Sequence, residues 1–290
     1  MSALSPPTEP SPAPPTAGET PFFFASHDRP LYAVHHAPDR ERAGGVGVVI
    51  ASGLGVEQLT VYRNVTLVAR ALAARGFPVL VHHPRGHGDS AGDWADVTLA
   101  GLTEDARAAG EELVHRAGVT RLAWLGVRFG ALAAAGALVP GRDAALALWE
   151  PVERPADYFR SWLRGLLYSQ VSRGEKPRFT VDELLAEIER GGRVDVHGYY
   201  LHRELMASAE HADLGAALAT WHGPTLLAQI QTRARLAEPH AALVTGLETR
   251  GVRVEPVLVR QDPGWHFMSN PAWEDAELVR RTAEWLDAVA

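Results

Sequence analysis

Leu125-Gly126-Val127-Arg128-Phe129-Gly130-Ala131 decides how this chain is read. An apolar strand, Arg121 to Leu125, enters a turn bounded by glycines, and the small-residue helix Phe129 to Leu138 follows at once. A turn this tight between strand and helix lifts its central residue above the end of the sheet. Glycine on either side lets helix and strand backbones approach closely. The displayed residue here is Arg128.

Outward from that turn the pattern alternates. Upstream lie the strand Val46 to Ser52, a helical stretch near Leu59 to Arg75, the strand Val79 to His83 and a helical stretch near Leu99 to Ala117; downstream lies the strand Ala145 to Trp149. Phe22 to Ser26 and Leu31 to His36 read as an opening hairpin, with Asp28-Arg29-Pro30 as its turn. After Trp149 the strand signal fades until about Gly223. Amphipathic helices replace it, including Tyr158 to Val171 and Val181 to Arg190, the second opened by the capping box Thr180-x-x-Glu183. Alternation then resumes with the strand Thr225 to Gln231, a helix near Glu238 to Arg250, the strand Val252 to Val259, and a closing helix near Trp273 to Val289.

These elements predict an α/β fold: a doubly wound, mostly parallel sheet of about eight strands, with helices on both faces. Residues 21–150 and 224–290 form the core, 151–223 a helical cap inserted into it, and the Pro/Ser/Thr-rich residues 1–20 a disordered tail.

The composition narrows the function. A formal net charge of −7 with scattered Lys and Arg gives no nucleic-acid footprint. The absence of cysteine removes disulfides, thiolate nucleophiles and thiolate metal sites. The 13 histidines show no metal-binding spacing, so neither metal nor cofactor is expected. With no signal peptide and no apolar run long enough to span a membrane, the expected location is the cytoplasm. Nothing fixes an oligomeric state.

Ligands of a doubly wound sheet bind beyond the carboxyl ends of its strands. Gly53 and Leu54, after the strand from Val46, bring backbone N–H groups that can join that of Phe129 in an anion pocket; a plain Gly-rich turn is the simpler alternative. Ser90 in Gly88-Asp89-Ser90-Ala91-Gly92 matches the G-x-S-x-G pattern of a serine nucleophile, yet polar DWADVT follows it in place of a helix, which makes it the lesser candidate. Glu150 ends a strand, where its carboxylate either orients a histidine or pairs with Arg128; the pair is the reading taken. His266 follows the last strand, where the chain order nucleophile, acid, histidine places a general base. After Gln231 no Asp or Glu occurs before Glu238, so the strand end that normally supplies the acid carries none.

On these residues the chain from about Phe22 onward resembles the α/β-hydrolase superfamily. Arg85-Gly86-His87-Gly88-Asp89-Ser90 is similar to the RGHGxS loop of serine-aminopeptidase-like and lipase-like members, which implies a structural role for its serine. The Arg-bearing elbow, Leu148-Trp149-Glu150-Pro151 and Val194-Asp195-Val196-His197-Gly198-Tyr199 resemble the second type of exosortase-associated hydrolase, which implies a setting beside bacterial exopolysaccharide and exosortase systems.

The departure from the parent family is chemical. A guanidinium stays protonated at ordinary pH and cannot attack a carbonyl, so no Ser-type acyl-enzyme forms at Arg128. Three readings follow. Arg128 and the Gly53, Leu54 and Phe129 backbone bind a carboxylate- or phosphate-bearing small molecule in a catalytically inactive hydrolase. Alternatively, His266 and Glu150 activate a water while Arg128 stabilises developing charge, or Ser90 serves as nucleophile. Lastly, the site is vestigial and the cap, with Trp162, Leu166, Leu167 and Tyr168, is an interaction surface; packing or a lid explains those residues better.

Overall fold

The structure is a computed structural model and describes residues 18–40, 45–174, 176–261 and 274–290. Strands β1 (Glu19–Ser26) and β2 (Arg29–His36) form an antiparallel hairpin. The hairpin closes at His27-Asp28, so Arg29 and Pro30 belong to β2, opposite Ser26 and Ala25, and not to the expected turn. Glu19 and Thr20, expected in the tail, belong to β1: Arg70 and His36 hold the Glu19 carboxylate at 2.5 and 3.3 Å.

The core continues through β3 (Val46–Ala51), α1 (Val56–Ala73), β4 (Val79–His82), α2 (Leu99–Ala117), β5 (Arg121–Val127), α3 (Gly130–Ala137) and β6 (Asp143–Trp149). The cap holds α4 (Pro155–Ser172), α5 (Val181–Glu189), the hairpin β7 (Val194–Val196) and β8 (Tyr199–Leu201), α6 (Arg203–Ala209) and α7 (Leu214–Ala217). That hairpin is absent from the helical pattern of the cap sequence, because strands of three residues are too short to show alternation. The core is completed by β9 (Thr225–Ile230), α8 (Glu238–Thr249), β10 (Val254–Val259) and α9 (Ala276–Val289). Trp273, where the last helix was expected to begin, lies outside the described residues.

The eight-stranded sheet runs β1-β2-β4-β3-β5-β6-β9-β10, antiparallel over the first three strands and parallel thereafter. Period-two alternation divides its side chains. Val46, Val48 and Ile50 meet Val61, Val65, Val68 and Leu72 of α1 and Leu278 and Leu286 of α9, whereas Val49 and Ala51 join the cluster containing Leu102, Ala106 and Leu113 of α2. Both faces are therefore covered, which is why β3 reads as a continuous apolar run. Truncating one fully buried leucine such as Leu72 to alanine costs about 2–5 kcal/mol. Local signals fix the ends of α2: the Thr98 hydroxyl accepts the Gly101 N–H, and Gly118 terminates the helix in the left-handed region at φ 64°.

The cap is tied down by side chains. Trp94 Nε1 donates to the Tyr200 carbonyl at 2.5 Å, and the Leu99 N–H to Ser208 Oγ at 2.9 Å. Among the described residues, no helix is long and apolar enough to cross a membrane.

Candidate functional site

Arg128 sits at the apex of the β5–α3 turn with φ 54°, a left-handed conformation that costs a non-glycine residue about 1–2 kcal/mol. Its neighbours show why the turn tolerates nothing larger than glycine. A Cβ on Gly126 would lie 2.5 Å from Ala131 Cα, and one on Gly130 would lie 2.2 Å from the Ser52 carbonyl oxygen. The expected elbow is therefore present, with its N–H donating to the Trp149 carbonyl at 2.9 Å.

The guanidinium does not pair with the Glu150 carboxylate, contrary to expectation. Its Nε and Nη2 both donate to Oε1 of Glu57, at 3.3 and 3.1 Å, while Nη1 donates to the backbone carbonyl of Glu150 at 3.1 Å. Glu150, itself left-handed at φ 42°, turns its carboxylate to the Ile230 N–H. Glu57, in the first turn of α1, also accepts the Tyr158 hydroxyl on Oε2 at 2.8 Å. Core helix, elbow and cap thus meet in one closed cluster, with the Arg128 and Glu57 side chains 12% and 5% exposed. Burial opposes the charge of Arg128, but Glu57, then Tyr158 and Glu150, outweigh it and hold the guanidinium protonated. Burial, with Glu57 beside it, raises the Tyr158 phenol well above its usual value.

The Arg85–Ser90 loop supports this cluster. His87 donates from Nδ1 to the Arg85 carbonyl and accepts the Gly55 N–H on Nε2, both at 3.0 Å, which fixes the entry to α1 two residues before Glu57. Burial pushes His87 down to about 4, so it stays neutral in this role. Ser90 Oγ donates to the His83 carbonyl at 2.5 Å and accepts the Tyr32 N–H at 2.9 Å; its hydroxyl latches the loop to β2, and the residues after it form a short 3-10 turn, Trp94–Asp96.

Gly53, Leu54 and Phe129 come together around a void of about 20 Å³ that is also lined by Ser52, His87 and Gly130. That is room for one water. A larger cleft, about 230 Å³, opens beside Arg128 between Pro151–Arg154, Asp157, Tyr158 and Ser161 of the cap side and Pro239 and His240 of α8. Burial pushes Glu150 up to about 7 against the pull of Arg128 and the Ile230 N–H. It pushes Glu153 to about 7 as well, and His240 down to about 4. His266 lies outside the described residues.

Glu57, Tyr158, Glu153 and His240 were not among the residues expected at the site. Glu57 carried one usable signal, a lone carboxylate on a helix otherwise packed through Val56, Val61 and Val65. Among the described residues, no group of three or more His, Asp or Glu side chains is arranged to hold a metal ion.

No family profile and no curated protein matches the chain. Solved structures do. An esterase from Pyrococcus furiosus superposes with a TM-score of 0.62 at 16% identity over 93% of this chain and 91% of its own. Est1E from Butyrivibrio proteoclasticus, bound to ferulic acid, gives 0.61 at 16% identity over 92% and 96%. A proline iminopeptidase from Mycobacterium smegmatis gives 0.58 at 12% identity over 93% and 98%. At such identities the likeness is one of fold: the chain has the α/β-hydrolase fold.

Proposed function

We propose that this chain is an unconventional, catalytically silent protein of the ester- and acyl-hydrolase lineage that binds a small molecule in the cleft beside Arg128. The observation that carries the reading is the closed Arg128–Glu57–Tyr158 cluster, which fills the nucleophile position with a cation and engages it on a carboxylate and a carbonyl. The expected ligand, bearing a carboxylate or phosphate, would compete with Glu57 for Arg128. A polar ligand that leaves the pair closed suits the geometry better, because charge compensation is already complete. The resemblance of the elbow and the Glu150 turn to exosortase-associated hydrolases supports a place beside exopolysaccharide assembly.

A second reading, hydrolysis by an activated water, is favoured by one cleft carboxyl, Glu153, pushed by burial to about 7, where a general base is effective near neutral pH. In that reading His266 assists by its place in the chain order.

Treatment with a fluorophosphonate probe and activated short-chain esters, followed by peptide mass spectrometry, separates these readings. The expected result is no adduct and no turnover. Labelling of Ser90 or any other serine overturns the proposal, and turnover without an adduct moves the conclusion to the water mechanism.

A further inference from the structure

The wall of the cleft opposite the elbow contains a donor and acceptor conflict. Gln229, in β9, is oriented by two backbone groups: its Nε2 donates to the Arg235 carbonyl at 3.2 Å, and its Oε1 accepts the Ala237 N–H at 2.7 Å. The same Oε1 lies 2.7 Å from His240 Nδ1. An amide oxygen only accepts, so Nδ1 carries a proton. The other ring nitrogen, Nε2, faces two further acceptors, the Pro151 carbonyl at 3.3 Å and Glu153 Oε1 at 3.2 Å. If the imidazole were neutral and Glu153 ionised, lone pairs would meet lone pairs with no hydrogen between them. Glu153 Oε1, shut off from solvent, would also have no donor among the described residues. A buried acceptor left in that state costs about 1–3 kcal/mol.

We propose that Glu153 and His240 hold one proton between Oε1 and Nε2 and together form the acid–base pair of the cleft. The shared proton bridges Oε1 and Nε2 from either atom and removes the conflict between them, leaving only the longer Pro151 contact when it sits on Glu153, and the pair stands whether or not the elbow is chemically silent. It borders the same cleft as Arg128, Tyr158 and Ser161, where a ligand with a hydrogen-bond-accepting oxygen, such as a carbonyl or ester, would meet the part of the Glu153 side chain that remains exposed.

Burial favours the uncharged arrangement, a Glu153 carboxyl donating to a neutral imidazole, since it raises Glu153 and lowers His240. The surrounding charges act on this balance from several elements. Arg128 at the elbow and Arg154 before α4 favour the carboxylate, Asp213 before α7 favours the carboxyl, and Arg128 disfavours imidazolium. Glu150 at the end of β6 couples to Glu153, and Asp157 and Glu238 lie along the rims of the opening.

The test is an NMR titration of the full chain, with histidine ring nitrogens and glutamate carboxyls isotopically labelled, from about pH 5 to about pH 9. Glu153→Gln and His240→Gln assign the signals. At neutral pH, His240 Nδ1 is expected to be protonated and Nε2 hydrogen-bonded. Glu153 and His240 should then shift in one shared transition, at least about one unit above an ordinary glutamate. In Glu153→Gln that transition should vanish from His240, because the amide N–H satisfies Nε2 at every pH. A bare Nδ1 with a protonated Nε2, or a Glu153 that titrates as an ordinary carboxyl while His240 stays unmoved, overturns the proposal. If Glu153→Gln does not fold, the paired signals of the unaltered protein decide the question.

Discussion

Two buried arginine–carboxylate clusters stand at the carboxyl ends of the parallel strands, and they are built differently. Arg85 meets Asp105 as a fork: Nε on Oδ2 at 3.0 Å and Nη2 on Oδ1 at 2.8 Å, with the Arg85 N–H and the Ser26 hydroxyl each adding a bond of 2.8 Å. Arg128 places two donors on a single oxygen of Glu57, sends a third to a backbone carbonyl, and leaves the other carboxylate oxygen to a tyrosine from the cap. The first arrangement engages both carboxylate oxygens of the buried Asp105 and serves architecture. The second recruits an inserted element and borders an open cleft, which is where a ligand or a moving cap can act on it.

Asp105→Ala breaks this cluster and leaves Arg85 with Glu104, whose side chain is 44% exposed. The expected loss is about 3–5 kcal/mol, read from urea denaturation; a change under about 1 kcal/mol would mean that the fork is dispensable.

The depressed histidines, His82 and His87 beside Arg85 and His240 in the cleft, respond to pH with the opposite sign from the raised carboxyls. On the Arg85 side, burial lowers His82 and His87 to about 4. A depressed histidine contributes stability that is present above its unfolded value of about 6.5 and is lost as pH falls towards the folded value. On the cleft side Glu150 and Glu153 are raised to about 7, so their contribution is complete below an unfolded value of about 4.3 and is lost as pH rises through 7. Between about pH 4.3 and about pH 6.5 the two contributions offset one another, so denaturation midpoints should change little there and decline as pH rises through 7, and Glu153→Gln should flatten that alkaline limb. A limb that keeps its slope in that variant would remove Glu153 from the account.

The smallest effect is expected from Tyr158→Phe, which deletes one bond to Glu57 and should cost about 1–2 kcal/mol. Limited proteolysis of the cap should accelerate in this variant. An unchanged rate would mean that packing of Phe159 and Trp162 suffices to hold the cap.

The parts of this molecule that were legible in its sequence are those set by local rules. Alternation located β3 and β6, and the helical stretch near Leu99 to Ala117 is α2. The Gly126 and Gly130 spacing gave the elbow. The partner of Arg128 was not legible. Glu57 is 71 residues away and Tyr158 meets Glu57 across 101, whereas Glu150 looked closer because it ends the strand beside β5. What defeats that inference is one backbone angle: with φ at 42°, Glu150 offers Arg128 its carbonyl and gives its carboxylate to Ile230. His240 was passed over for a similar reason, since its meaning depends on Gln229 and Glu153, which lie in other elements.

Helix α4 is held more firmly at one end than at the other, with Leu166 and Leu167 only half-buried beyond its midpoint. Tyr158, Phe159, Trp162 and Leu163 are buried in its first half, whereas Tyr168 and Val171 are exposed in its second. A rod held more firmly at one end works as a lever. Buried as they are, its first turns should open with the elbow, and its exposed last turn should open at lower free energy. Displacement of the outer end, by a partner or by a molecule entering the cleft, would reach the Arg128–Glu57 cluster through Tyr158 and the aromatic packing around it.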